Sequence, residues 1–178
     1  MKAIVAVDEK WGIGAAGKLL AHIPGDLKHF RGETLGKLIV MGRKTLEGLP
    51  GGRPLPGRDT VVLSRDPSFD AGCKAFTSFG GCMEYLDGFD GDQVYICGGA
   101  DIYRQFLPYC GECLVTKIDG DFGADSFFED LDRRDDFRLL DESGRMEENG
   151  ISYRFARYAR LAPGVGGQAA ASGAQSGE

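Results

Sequence analysis

Residues 13–31 read Ile-Gly-Ala-Ala-Gly-Lys-Leu-Leu-Ala-His-Ile-Pro-Gly-Asp-Leu-Lys-His-Phe-Arg, and the rest of the chain is organised around them. A glycine-rich loop runs into a helix here, and the first turn of that helix carries one acid, Asp26. Pro24 has the fixed φ that suits a first helical position, where its missing N–H costs nothing. Helical spacing sets Asp26, Leu27 and Phe30 close to one stripe. Two readings follow for Asp26. It is either a solvated first-turn acid favoured by the helix dipole, or a carboxylate set into an apolar surface for a purpose.

Outward from this stretch, residues 2–7 (Lys-Ala-Ile-Val-Ala-Val) predict a short buried strand. Gly12-Ile-Gly14-Ala-Ala-Gly17 then spells G-x-G-x-x-G, but a dinucleotide fingerprint must open a helix at once. Pro24 and Gly25 stand where such a helix should continue, so the stretch reads instead as a mobile loop and a candidate lid. Beyond the helix, expected over about 24–34, Lys37-Leu-Ile-Val-Met41 is a second buried strand. It runs straight into Gly42-Arg43-Lys44-Thr45, a glycine that opens a short helix. Free N–H groups at such a joint, with two cations beside them, suit an anion. Gly51-Gly52-Arg53-Pro54-Leu55-Pro56-Gly57-Arg58 is a Pro-braced loop.

A third strand, 59–63, ends in Ser64-Arg65, where an open α/β sheet binds ligands. An arginine there suits an adenosine 2′-phosphate. A short strand at 74–77 and a helix from about Ser78 follow. Gln93-Val-Tyr-Ile-Cys97 and the Gly98-Gly99 start of a helix form a second anion cradle. Pro108 should stop that helix. Another strand, 113–118, an acidic turn at 119–125 and an irregular acidic stretch to 136, anchored by Phe127 and Phe128, come next. Two late strands, near 137–143 and 151–160, predict an antiparallel hairpin at the sheet edge. From about Ala162 the chain offers almost nothing to bury and should be disordered.

With 178 residues and 42% hydrophobic content, the chain fits one domain with a proper core. No apolar run is long enough for a membrane span, and the N-terminus lacks a secretory leader. The five cysteines (Cys73, Cys82, Cys97, Cys110, Cys113) contain one Cys-x-x-Cys pair, Cys110 and Cys113, with no second pair or nearby His. That leaves a zinc site incomplete and favours ordinary thiols over a redox pair, in the reducing cytoplasm that an odd cysteine count points to. A net charge of −6 argues against nucleic acid or an anionic membrane as partner, so an anionic ligand must be held by local basic groups.

Over roughly residues 1–160 these pieces together resemble dihydrofolate reductase. The resemblance rests on Ala6-Val7-Asp8, Gly12-Ile13-Gly14, Ile23-Pro24-Gly25-Asp26-Leu27-x-x-Phe30 and Val40-Met41-Gly42-Arg43-Lys44-Thr45. It continues through Arg53-Pro54-Leu55-Pro56-Gly57-Arg58, Leu63-Ser64-Arg65, Gly98-Gly99-x-x-Ile102-Tyr103 and Thr116-x-Ile118-Asp119. The fold it implies is a single α/β domain (1–161, with a 162–178 tail), a mainly parallel eight-stranded twisted sheet with an antiparallel C-terminal hairpin and about four helices. The activity it implies is NADPH-dependent reduction of 7,8-dihydrofolate to tetrahydrofolate, feeding thymidylate and purine synthesis. The expected protein is a cytoplasmic monomer with a small-molecule substrate and neither nucleic acid, membrane nor metal as partner.

By the same resemblance Asp26 is the catalytic carboxylate that binds the pterin ring, supported by Thr116. Ile4, Val5, Ala6 and Cys97 line the pterin, with backbone carbonyls offered by Ile4 and Cys97. Leu19, Leu27, Phe30, Leu49 and Leu55 hold the pterin and benzoyl groups, and Arg58 pairs with the α-carboxylate. The cofactor falls to Ala6, Ile13, Gly14, Gly42, Thr45, Leu63 and Cys97, and to Gly98, Gly99, Ala100, Asp101, Ile102 and Tyr103. Its phosphates fall to Arg43, Lys44, Ser64 and Arg65. His22 and His29 read as surface residues. The chain departs from the family pattern at Leu19-Leu20-Ala21, where many members carry Leu-Pro-Trp, and at Ala100, where a third glycine is usual. Three alternatives are a pyrimidine reductase of riboflavin synthesis, a non-catalytic pterin or nucleotide binder, and a redox protein built on Cys110 and Cys113. The first two are opposed by Asp26 with Arg58 and by Asp26 with Thr116, respectively.

Overall fold

The computed structural model describes residues 1–70 and 72–162; the expected tail, Ala162 apart, lies outside the described residues. Nine strands share one sheet: β1 (Lys2–Val7), β3 (Leu38–Gly42), β4 (Asp59–Leu63), β5 (Lys74–Phe76), β6 (Val94–Ile96), β7 (Glu112–Ile118), β9 (Phe137–Glu142), β10 (Met146–Glu148) and β11 (Ile151–Arg160). Four helices, α1 (Pro24–Thr34), α2 (Arg43–Glu47), α3 (Phe79–Leu86) and α4 (Ala100–Phe106), make the connections. The spatial order is β10-β11-β7-β1-β6-β3-β4-β5, with β9 also on β11. All pairs from β7 to β5 are parallel, and β11 runs antiparallel to β7. The expected architecture holds, with one strand more than expected. β11 is ten residues long, and a register shift at Arg157/Tyr158 lets two short strands, β9 and β10, share its outer edge.

The central strands are buried on both faces, as helix-covered parallel strands must be. Their alternation divides the core into two layers. Ala3, Val5 and Val7 pack with Val40, Ile96 and Phe106, while Ile4 packs the other way with Ile39, Met41, Val62 and Leu114. The second layer lies under α1. The topological reversal at β1, between β7 and β6, puts the carboxyl ends of β1, β3, β4 and β6 at the sheet's ligand-binding edge.

The 12–20 loop corrects one expectation. It is tied rather than free in its first half. Gly12–Gly14 forms β2, paired with β8 (Ser126–Phe127), and so a second sheet. Buried Asp8 accepts the Gly12 N–H at 2.9 Å and the Phe122 N–H at 3.2 Å. Asp125 accepts the Ala16 N–H at 2.7 Å and donates its own N–H to the Gly14 carbonyl at 3.0 Å. The acidic 119–127 stretch is thus the loop's mooring, which its composition did not reveal. Pro108 does not end the chain's helical course at once, since a 3₁₀ turn, Leu107–Tyr109, runs through it.

Candidate active site

Asp26 is not a freely solvated first-turn acid. The Thr116 hydroxyl on β7 donates to Asp26 Oδ1 at 2.6 Å, and Thr116 is itself 3% exposed. Register places Thr116 between Ala6 of β1 and Phe155 of β11, so the strand order builds a floor beneath the helix acid. Burial pushes the Asp26 carboxyl above its ordinary range, with Thr116 and the nearby His29 charge opposing. A buried carboxylate costs stability unless its oxygens are used. Here Oδ1 is engaged by the Thr116 hydroxyl.

Of the residues expected at the pterin and benzoyl groups, Ile4, Phe30, Leu49, Leu55 and Cys97 share one apolar cluster. Ala6 joins Ile23, Ile118 and Tyr153. Val5 packs on the opposite layer, so only its backbone faces this side. Leu27 is 41% exposed along the groove and Leu19 71% exposed on the loop. Arg58 is prepared by its surroundings: Nε donates to Thr34 Oγ1 at 3.0 Å and Nη1 to the Pro56 carbonyl at 3.0 Å. Its guanidinium lies 5.8 Å over the Phe30 ring. Partial burial, and then the neighbouring Arg31, lower its pKa. A fixed, half-desolvated guanidinium suits bidentate capture of a carboxylate.

Across the sheet edge, two glycine joints interlock. The Gly42 N–H donates to the Gly98 carbonyl at 2.8 Å, and Gly98 holds φ +112°. A Cβ on Gly42 would meet Ile102 at 3.1 Å, one on Gly98 would meet Tyr103 at 3.2 Å, and one on Gly99 would meet Thr45 Oγ1 at 3.4 Å. Neither α2 nor α4 has a side-chain cap, so their first N–H groups face outward. Ser64 is buried, while Lys44 and Arg65 are exposed and Arg43 touches Glu47 at 3.5 Å. Asp101 is taken up by Arg104 at 2.9 Å on the outer side of α4. Backbone donors in a side-chain-free cradle, with cations at its rim, fit the phosphates of a dinucleotide. Ile13 and Gly14 lie on β2, Leu63 ends β4 beside Ser64, and Ala100 opens α4.

Several placements could not be read from neighbouring residues alone. The Tyr103 hydroxyl, expected at the cofactor, donates at 2.7 Å to the Ile4 carbonyl and so occupies one of that oxygen's two lone pairs. His29, expected at the surface, is half-buried and stacks on Phe155 with centroids 4.1 Å apart, because β11 runs beneath this side of α1. Glu148 accepts the Gly25 N–H at 2.8 Å from 123 residues away. Trp11 lies in the core against Phe128 and Tyr158 and does not reach the place left by Ala21. Cys110 and Cys113 are buried free thiols, pushed far above their usual range by desolvation, which suits packing rather than redox work.

A family model for dihydrofolate reductase matches residues 1–160. The chain is 36% identical over 158 residues to the dihydrofolate reductase of Neisseria meningitidis serogroup A, covering 88% of this chain and 96% of that protein. It is 33% identical over 157 residues to the dihydrofolate reductase of Bacillus subtilis, covering 87% and 91%. The solved structure of dihydrofolate reductase from Enterococcus faecalis, complexed with NADP(H) and RAB-propyl, aligns with a TM-score of 0.80 at 32% identity, covering 89% of this chain and 95% of that one. The chain therefore belongs to the dihydrofolate reductase family, NADP-dependent oxidoreductases that reduce dihydrofolate.

Proposed function

We propose that Asp26, Thr116 and Arg58 place 7,8-dihydrofolate in the groove between α1 and β1 for its reduction to 5,6,7,8-tetrahydrofolate. The observation that carries this is the part-buried Asp26–Thr116 pair, 2.6 Å apart, with Arg58 tied to Thr34 at the other end of the same helix. The Asp26 carboxylate accepts from the pterin ring N–H and 2-amino group, a donor pair spaced for its two oxygens, with Oδ1 also accepting the Thr116 hydroxyl. Phe30, Leu49 and Leu55 cover the rings and the benzoyl group, and Arg58 fixes the α-carboxylate at the far end.

Reducing the C6=N5 imine adds hydride to carbon and a proton to nitrogen; NADPH, held by the Gly42 and Gly98–Gly99 joints and the Arg43, Lys44, Ser64 and Arg65 rim, supplies the hydride when bound. Asp26 polarises the pterin, and solvent delivers the N5 proton. Its raised pKa keeps a protonated fraction available nearer neutrality than an ordinary carboxylate would. The moored 12–20 loop limits water at the reacting edge.

In this reading the protein works as a cytoplasmic monomer; among the described residues no helix is long and apolar enough to cross a membrane. The test is NADPH consumption with dihydrofolate, followed by absorbance, with NADH in parallel. Rapid NADPH-selective turnover is expected. Binding of both ligands with no turnover would overturn the assignment and point to a non-catalytic binder.

A further inference from the structure

The helix that carries Asp26 begins without a cap of its own. Ile23 has no side-chain oxygen, Pro24 has no N–H, and the Gly25 N–H would be left without a partner. The far end of the chain meets it. Glu148, the last residue of β10, accepts the Gly25 N–H through Oε2 at 2.8 Å, and its Oε1 accepts the Tyr153 hydroxyl at 2.8 Å. A Cβ at position 25 would lie 2.1 Å from that hydroxyl and 2.5 Å from Glu148 Oε1, so only glycine allows the approach. Tyr153 is 2% exposed and packs with Ile23 and Ile118, directly beside the acid's floor. The β10–β11 hairpin thus grips α1 at the Pro24–Gly25 peptide, one residue before Asp26.

We propose that Glu148, braced by Tyr153, is a positioning residue that replaces the missing N-cap and sets the place and electrostatic surroundings in which Asp26 meets the pterin. This rests on the role given to Asp26 above. The Gly25 N–H and the Tyr153 hydroxyl hold the Glu148 carboxyl below its usual range, so it is ionised at neutral pH. Its charge offsets the positive end of the helix dipole, which would otherwise favour the Asp26 anion. The groups facing Asp26 are Thr116 from β7, Tyr103 from α4, Tyr153 from β11, and His29 on its own helix, with Glu148 one peptide away.

The test compares the parent with Glu148→Ala, which removes acceptor and charge, and Glu148→Gln, which keeps an acceptor and removes the charge. Dihydrofolate KM, NADPH KM, thermal stability and the pH profile of single-turnover hydride transfer are measured for each. Glu148→Ala should raise dihydrofolate KM and slow hydride transfer about tenfold, with NADPH KM within about twofold. Glu148→Gln should restore KM and move the pH midpoint of hydride transfer down by about half a unit. Parental KM and pH profile in both variants, whatever their melting temperatures, would reduce Glu148 to a structural tie and overturn the proposal. If Glu148→Ala does not fold, Glu148→Gln and Tyr153→Phe carry the same comparison. Absence of turnover in the parent would instead strike the reaction assigned above, and this inference with it.

Discussion

On the proposed substrate side the charged groups are already engaged by protein: Asp26 by Thr116, Arg58 by Thr34 and Pro56, Glu148 by Gly25 and Tyr153. On the proposed cofactor side Lys44 and Arg65 stand exposed, and what is fixed is backbone, at glycines where a Cβ would sit 3.1–3.4 Å from its nearest neighbour. The difference follows from what each side must recognise. A planar pterin with a fixed donor pattern rewards side chains frozen during folding. Phosphates reward directed N–H groups, with cations adding attraction from the rim. Changes on the substrate side should therefore couple affinity to stability, whereas changes at the rim should separate them.

Arg58→Leu should test that coupling with the largest effect. Losing a carboxylate clamp removes charge-assisted bonds of about 2–3 kcal/mol, so dihydrofolate KM should rise on the order of 100-fold with NADPH KM unchanged. The melting temperature should fall as well, because Thr34 loses its donor. An unchanged melting temperature would break the comparison at its firmest point. Gly98→Ala tests the fixed backbone. At φ +112°, with Tyr103 3.2 Å from the new Cβ, it should cost about 2 kcal/mol in thermal unfolding and weaken NADPH binding, leaving dihydrofolate affinity nearly intact.

Arg65→Ala isolates the rim. It should lower the preference for NADPH over NADH about tenfold, with the melting curve superimposable on the parent's. Asp26→Asn should give the least intuitive stability effect. Burial raises the folded carboxyl's pKa, so the neutral acid's contribution is complete below the unfolded value and lost as pH rises through the folded one. Where the folded group is ionised it is a cost, and the asparagine variant should melt a few degrees higher, by a margin that widens as pH rises from the unfolded carboxyl's value through the raised folded one. A variant that melts lower at pH 8 would show that Thr116 and its surroundings stabilise the anion after all.

Much of this was legible locally. Pro24 marked the start of α1, the unbroken Ile-Val runs marked the central strands, and Gly42 and Gly98–Gly99 marked the joints, because each signal is carried by adjacent residues. Asp26 stood out as a carboxylate on an apolar stripe, but its burial depended on Thr116, ninety positions away. The hidden elements share that property. β2 exists through Ser126–Phe127, the helix cap through Glu148, and the half-burial of His29 through Phe155. None has a periodicity or spacing that points to its partner. β10, three residues long and polar, offers no apolar alternation to find.

The central claim is that one buried acid on α1 governs the chemistry. Single-turnover hydride transfer, measured against pH for the parent and Asp26→Asn, tests it most directly. The parent's rate should fall as pH rises through the raised Asp26 value, while the variant should be on the order of 100-fold slower at neutral pH and recover only as acid solvent supplies the proton. A variant that keeps the parental rate at pH 7 would contradict the account.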